Sequence, residues 1–161
     1  MSVSREIVAT YRGPGRVVRR LLGAAPNEGR ALATLMAACV VVFVAQWPRL
    51  SREAYLTDQE LNPLLGGALL GWVFIAPLFF YLLAWISHML SKLAGGRGTG
   101  YGARVALFWA FLAGSPILLL WGLIAGFIGA GAGLNLVGIL WVAAFLWFWI
   151  AGLREAEWGA R

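Results

Sequence analysis

Charged side chains are scarce in this sequence. Asp, Glu, Lys and Arg make up 12% of its 161 residues, whereas an ordinary soluble domain has about 25%. The hydrophobic fraction is 61%, which leaves too few polar residues to cover the surface of a soluble protein. This composition excludes an ordinary soluble domain and predicts an integral membrane protein.

Cysteine and histidine are also nearly absent. Cys39 and His88 are the only residues of their types, so an internal disulfide or a cluster of histidines cannot form. No acidic residue lies near His88 in sequence, and the CxxC and HExxH motifs are missing. A lone membrane histidine can ligate haem or a magnesium pigment, but an interfacial histidine is the simpler interpretation. We therefore expect no catalytic site, no metal and no cofactor, and hence a protein that is not an enzyme.

Long apolar runs are what the sequence has in abundance. Four runs are long enough to cross the roughly 30 Å hydrocarbon core, and their interiors contain no Asp, Glu, Lys or Arg. The predicted fold is all-α: a polytopic bundle of four transmembrane helices, or five if the basic N-terminal segment also enters the membrane. The predicted spans are about 31–47, 64–90, 103–128 and 134–153.

Lysine and arginine are divided unequally between the two ends of this bundle. Eleven of the 13 lie in the N-terminal segment, the second loop and the C-terminal tail, and only Arg49 and Arg52 lie on the other side. The positive-inside rule therefore predicts that both termini are cytoplasmic, with a bacterial inner membrane as the location. The predicted domains are a basic amphipathic segment, a membrane bundle and a cytoplasmic tail: 1–29, 30–153 and 154–161.

Two basic segments are expected at the membrane surface. Arginines alternate with apolar residues in the N-terminal segment, a pattern typical of an amphipathic helix on an anionic leaflet. The loop GGRGTGYGAR at 95–104 follows a membrane helix rather than a strand, so a flexible turn at headgroup level is favoured over a nucleotide site. Membrane lipids are thus predicted partners and nucleic acid is not. The candidate headgroup contacts are Arg16, Arg19, Arg20, Lys92, Arg97 and Arg104.

Small residues recur at intervals of four, a spacing that allows close helix packing. They can serve the internal bundle or a partner, and the internal role is favoured. Tryptophan is abundant, with nine residues; Trp147 and Trp149 fit an interfacial belt or, as the sharper hypothesis, a partner surface. The candidate packing residues are Gly67, Gly71, Ala106, Ala110, Gly114, Gly122 and Gly126.

Four segments, taken in order, resemble the bacterial branch of the YIP (Ypt-interacting protein) family. This resemblance implies a polytopic helical membrane protein without a catalytic site. Eukaryotic relatives bind small GTPases, a role that does not transfer because this sequence has no matching motif. The segments are RGPGRVVRRLL at 12–22, LAGGRGTGYGARVALFWA at 93–110, SPILLLWGLI at 115–124 and WFWIAGLREA at 147–156.

The predicted function is that of a non-enzymatic YIP-like membrane protein acting through helix–helix and lipid contacts. It would be an accessory subunit or organiser of a larger complex, such as a respiratory or photosynthetic assembly, with other integral membrane proteins as partners and a homo-oligomer left open. One alternative is a small-molecule transporter or channel, which needs a polar path lined by Ser115, Asn135 or Gln46. Another is a lipid-binding sensor that acts through the N-terminal segment.

Overall fold

A computed structural model describes residues 2–159, which form six helices and no strand. The predicted all-α class is confirmed, and four of the helices are long and apolar enough to cross a membrane. The chain is therefore a multi-pass membrane protein by the length and composition of its helices. The helices are α1 (Val3–Thr10), α2 (Pro14–Leu22), α3 (Glu28–Thr57), α4 (Leu61–Leu93), α5 (Gly100–Phe127) and α6 (Ala132–Trp158).

Helix α3 differs most from its predicted span of 31–47. It begins after Asn27, whose side chain accepts the backbone N–H of Arg30 at 3.0 Å, as an N-cap residue does. Pro48, at the predicted end of the span, lies inside the helix. The helix ends only at Asp58, which has a left-handed backbone with φ 52. Packing of the Pro48 region against α5 therefore outweighs the local preference of proline to end a helix.

Helix α4 contains one wide turn. Residues Leu70–Ile75 are π-helical, and Pro77 follows in the next turn. A proline ring clashes with the carbonyl group four residues earlier, and a wider turn gives that carbonyl room. The sequence predicts a tilt or kink near Pro77, and the irregular backbone lies just before it.

Helix α5 is the central helix of the bundle. Its residues from Gly102 to Ser115 are buried with few exceptions, because α3, α4 and α6 all pack against it. Pro116 cannot donate a backbone hydrogen bond to Leu112. The side chain of Ser115 supplies the missing donor, at 2.7 Å from the Leu112 carbonyl oxygen. The proline is thus accommodated without an unpaired carbonyl group in the core.

Helices α4 and α6 are peripheral. Only 17% of the most apolar stretch of α4 and 11% of that of α6 is buried, whereas the value for α5 is 56%. The bundle therefore has one shielded central helix and two helices whose apolar sides face away from the chain.

Helices α1 and α2 form an antiparallel hairpin that lies against α5 and α6. The Tyr11 hydroxyl donates to the carbonyl oxygen of Ala113 at 2.8 Å. The indole N–H of Trp109 donates to the Thr10 hydroxyl at 3.0 Å. Val18 of α2 is buried, with 1% exposed. The basic N-terminal segment is therefore fixed to the side of the bundle.

Replacing Tyr11 by Phe tests this docking. The ring remains beside Phe148, at a centroid distance of 4.9 Å, but the hydrogen bond to Ala113 is lost. We expect docking of the hairpin to weaken by about 1 kcal/mol. This change makes the undocked hairpin roughly five times more populated, so trypsin should cleave α2 roughly fivefold faster. Tyr55→Phe is the control, because Tyr55 is 87% exposed. Equal cleavage rates for Tyr11→Phe and wild type would refute the anchoring role.

Candidate functional site

The glycine-rich loop, whose sequence 95–104 runs into the start of α5 at Gly100, contacts Glu157 close to the end of α6. The N–H of Gly98 donates to Glu157 Oε2 at 3.1 Å, and the N–H of Arg97 donates to the backbone carbonyl of Glu157 at 2.8 Å. A Cβ atom at Gly98 would overlap the carbonyl oxygen of Ala156. These two hydrogen bonds hold the loop against α6, and its flexibility stays a prediction.

Glu157 also binds the only histidine of the chain. His88 Nδ1 lies 2.6 Å from Glu157 Oε1, and the side chains are 8% and 0% exposed. Each carboxylate oxygen thus has one polar partner, which offsets the cost of burying the group. The pair joins the end of α4 to the end of α6, and the loop joins both to the start of α5.

The chemistry available at this pair is limited. The adjacent Ser87 hydroxyl donates to the carbonyl oxygen of Ala84 at 2.9 Å, so it is engaged within its own helix. Across residues 2–159, no group of three or more His, Cys, Asp or Glu residues could hold a metal ion. The His88–Glu157 pair is thus a polar lock between the ends of α4 and α6.

Sequence spacing gives little sign of this lock. His88 and Glu157 lie 69 positions apart, so the lack of an acidic residue near His88 in sequence says nothing about its surroundings in space. One weak signal exists in LREAE at the end of α6. Glu155 and Glu157 are two residues apart, so they point to different sides of the helix, and each binds a different cation-forming side chain.

Three of the six predicted headgroup contacts have a carboxylate of the protein as partner. Arg19 donates to both oxygens of Glu155, at 2.6 and 3.0 Å, and this hydrogen bond and the carboxylate charge raise the pKa of Arg19. These pairs connect α2 to α6, α2 to α1 and α5 to α3. Headgroup contact stays a prediction for all six residues. The pairs are Arg19–Glu155, Arg20–Glu6 and Arg104–Glu28.

The predicted packing residues of α5 lie at contacts inside the chain. A Cβ atom at Gly122 would overlap the Ala45 carbonyl oxygen, and one at Gly126 would overlap Pro48. Nearer the start of α5, a Cβ atom at Gly114 would lie 3.1 Å from Trp141 Nε1. The two other predicted packing residues of α5 are buried as well: Ala106 with 0% exposed and Ala110 with 1%.

Gly67 and Gly71 do not share this role. A Cβ atom added at either position would meet no atom within 4 Å. This stretch of α4 does pack against α3, but its two glycines lie on the side that faces away from the chain. The internal packing role favoured by the sequence is therefore incorrect for this pair, because a small-residue spacing marks where a close approach can occur and not where it does.

Trp147 and Trp149 face different surroundings. Trp147 is 51% exposed. Trp149 stacks on Phe145 at 5.8 Å, and Trp141 stacks on the same ring at 5.3 Å. The indole N–H groups of Trp141 and Trp149 are buried and have no hydrogen-bond partner within the described range 2–159. Trp147 is therefore the member of the predicted pair that is available to a partner.

The polar residues that a transport path would need have other roles or positions. The Ser115 hydroxyl donates within α5, and the Gln46 side-chain oxygen accepts from Arg49 Nε at 3.0 Å. Asn135 is exposed near the start of α6. These positions lend no support to a polar path through the bundle.

No family model, curated protein or solved structure matches this chain. The resemblance to the YIP family therefore stays a prediction based on the four sequence segments. The function has to be inferred from the contacts and exposed surfaces of the described residues.

Proposed function

We propose that this chain is a non-enzymatic, YIP-like integral membrane protein that acts through helix–helix and lipid contacts. In this proposal it is an accessory subunit or organiser of a larger membrane complex, with a respiratory or photosynthetic assembly as the expected setting. Its location would be a bacterial inner membrane, with both termini in the cytoplasm as the distribution of Lys and Arg predicts.

The observation that carries this proposal is the uncovered side of α6. Large apolar side chains are exposed on it at intervals of four, seven and three residues: Leu136 is 66% exposed, Leu140 55%, Trp147 51% and Ile150 53%. Ala143 is also exposed and completes a spacing of four, three, four and three. Ile139, Val142 and Leu146 are exposed between these positions, so the uncovered side of α6 is broad. A four-three spacing within such a side fits contact with a partner helix along one seam.

Trp147→Ala tests the seam. Tryptophan is enriched among residues whose truncation costs 2 kcal/mol or more at an interface, so we expect a loss of roughly 30-fold in partner affinity. The measurement is recovery of partner proteins by mass spectrometry after tagged protein is purified from gently solubilised membranes of its native host.

Trp85→Ala is the matched control, since Trp85 is 59% exposed on α4. It removes the same side chain from a different helix. We expect full recovery of partners with this variant and an unchanged melting temperature for both. Equal recovery with Trp147→Ala and Trp85→Ala would exclude the α6 seam as the contact.

A further inference from the structure

A groove of about 600 Å³ runs along the N-terminal hairpin, between α1 and α2. Four of its lining residues are arginines, and apolar side chains such as Val8 and Val17 line the rest. Arg16 and Arg20 are spaced by four in α2 and thus lie on one side of this helix, and Arg12 lies in the turn that precedes it. Arg5 contributes the fourth guanidinium from α1.

The four guanidinium groups of the groove differ in their partners. Glu6 binds Arg20 at 2.9 Å, and Arg16 donates to the backbone carbonyl of Arg12 at 3.3 Å. Within residues 2–159, no hydrogen bond or ion pair is formed by the side chains of Arg5 and Arg12. The groove therefore has an excess of positive charge and donors that point to an anionic ligand.

The excess of positive charge in the groove is unusual because of where the groove lies along the spanning helices. Tyr11, next to Arg12, is bonded to Ala113, which lies midway along the 28 residues of α5. At 1.5 Å per residue, Ala113 is about 20 Å from the start of α5. Arg12 is thus level with the middle of α5, a helix long and apolar enough to cross a membrane, whereas Arg19, farther along α2, pairs with Glu155 near the end of α6. Arginine at such depth is tolerated where headgroups, water or a counter-anion reach it.

We propose that this groove binds a phosphate group between Arg12 and Arg16. The planar guanidinium fork matches two phosphate oxygens at once, and the anion supplies the counter-charge that the groove lacks. The phosphate belongs to an anionic lipid drawn below the normal headgroup level or to a soluble phosphate compound that enters from the end of the bundle. This inference deepens the lipid-contact part of the proposed function and is independent of any protein partner.

The test compares full-length wild type with the double variant Arg12→Gln/Arg16→Gln. Both are reconstituted in nanodiscs of phosphatidylcholine containing phosphatidylglycerol, and native mass spectrometry counts the lipids that stay bound. Detergent-solubilised protein is titrated separately with inorganic phosphate. We expect the double variant to retain about tenfold less phosphatidylglycerol, because this is the effect of losing about one charge-assisted hydrogen bond.

The control Arg30→Gln/Arg154→Gln removes the same charge from two exposed residues outside the groove, and it should retain phosphatidylglycerol like wild type. Arg12→Lys/Arg16→Lys keeps the positive charge but lacks the planar guanidinium groups, so it should lose an intermediate amount of phosphatidylglycerol. An intermediate loss would also show that misfolding of the glutamine variant is not the cause of its effect. Loss of inorganic phosphate binding alone would support the site with a soluble ligand. Equal retention of both ligands by wild type and the glutamine variant, or equal losses in the control, would overturn the proposal.

Discussion

Gly122→Ala is expected to give little or no folded protein. The added methyl group would overlap the backbone carbonyl oxygen of Ala45, and a backbone atom inside a helix cannot move aside as a side chain can. Added volume in a packed core typically costs about 1–3 kcal/mol, and more when the backbone has to shift. Two membrane helices, α3 and α5, would have to separate along their contact. The measurement is the yield of monodisperse protein in detergent, followed by thermal unfolding.

Gly67→Ala provides the matched control in a neighbouring helix. No atom lies within 4 Å of the added methyl group, and alanine favours a helix over glycine by about 1 kcal/mol. We expect this variant to melt at or slightly above the wild-type temperature. A Gly122→Ala protein that is as abundant and as stable as Gly67→Ala would disprove the close contact between α3 and α5. Gly122 is also unsuitable for probing a partner interface, because its substitution acts on the bundle itself.

Glu157→Ala is expected to have the second large effect. It leaves the buried His88 imidazole and the Gly98 N–H without their partner and frees the glycine loop from the end of α6. Leaving a buried polar group without its hydrogen-bond partner typically costs about 1–3 kcal/mol, a substantial part of the total stability of a domain. The measurement is the shift in melting temperature of the purified protein.

The control for Glu157→Ala is Glu53→Ala, at the other end of the bundle. Glu53 is 43% exposed and pairs with Arg49 four residues earlier in the same helix, an arrangement that contributes about 0.3–0.5 kcal/mol. Glu157→Gln should lie between wild type and Glu157→Ala, because the amide oxygen can still accept from Gly98. Similar small shifts for Glu157→Ala and Glu53→Ala would contradict the description of the His88–Glu157 pair as a lock.

The four spanning helices could be predicted because hydropathy is a property of each segment by itself. Contacts between segments cannot be predicted in this way, because they depend on two segments at once. The pairs Gly67–Gly71 and Gly122–Gly126 have the same spacing in sequence, yet only the second lies against another helix. Which side of a helix faces its neighbours depends on the whole bundle, so the motif alone does not distinguish the two.

The polar contacts at the end of the bundle were beyond prediction for the same reason. The glycine-rich loop has the composition of an anion-binding loop, and it does hold an anion, but that anion is Glu157 of the same chain. The basic N-terminal segment has the pattern of a surface helix, yet Tyr11 and Thr10 attach it to α5. In both cases the partner lies far away in sequence, and composition describes the donor without identifying the acceptor.

The central proposal, that this chain works within a larger membrane assembly, is tested most directly by a native gel of gently solubilised membranes. Mass spectrometry then identifies the proteins that migrate with the wild-type chain. The proposal predicts a band well above the 17.4 kDa of the chain that contains other integral membrane proteins. A chain that migrates alone, or only with copies of itself, would contradict it.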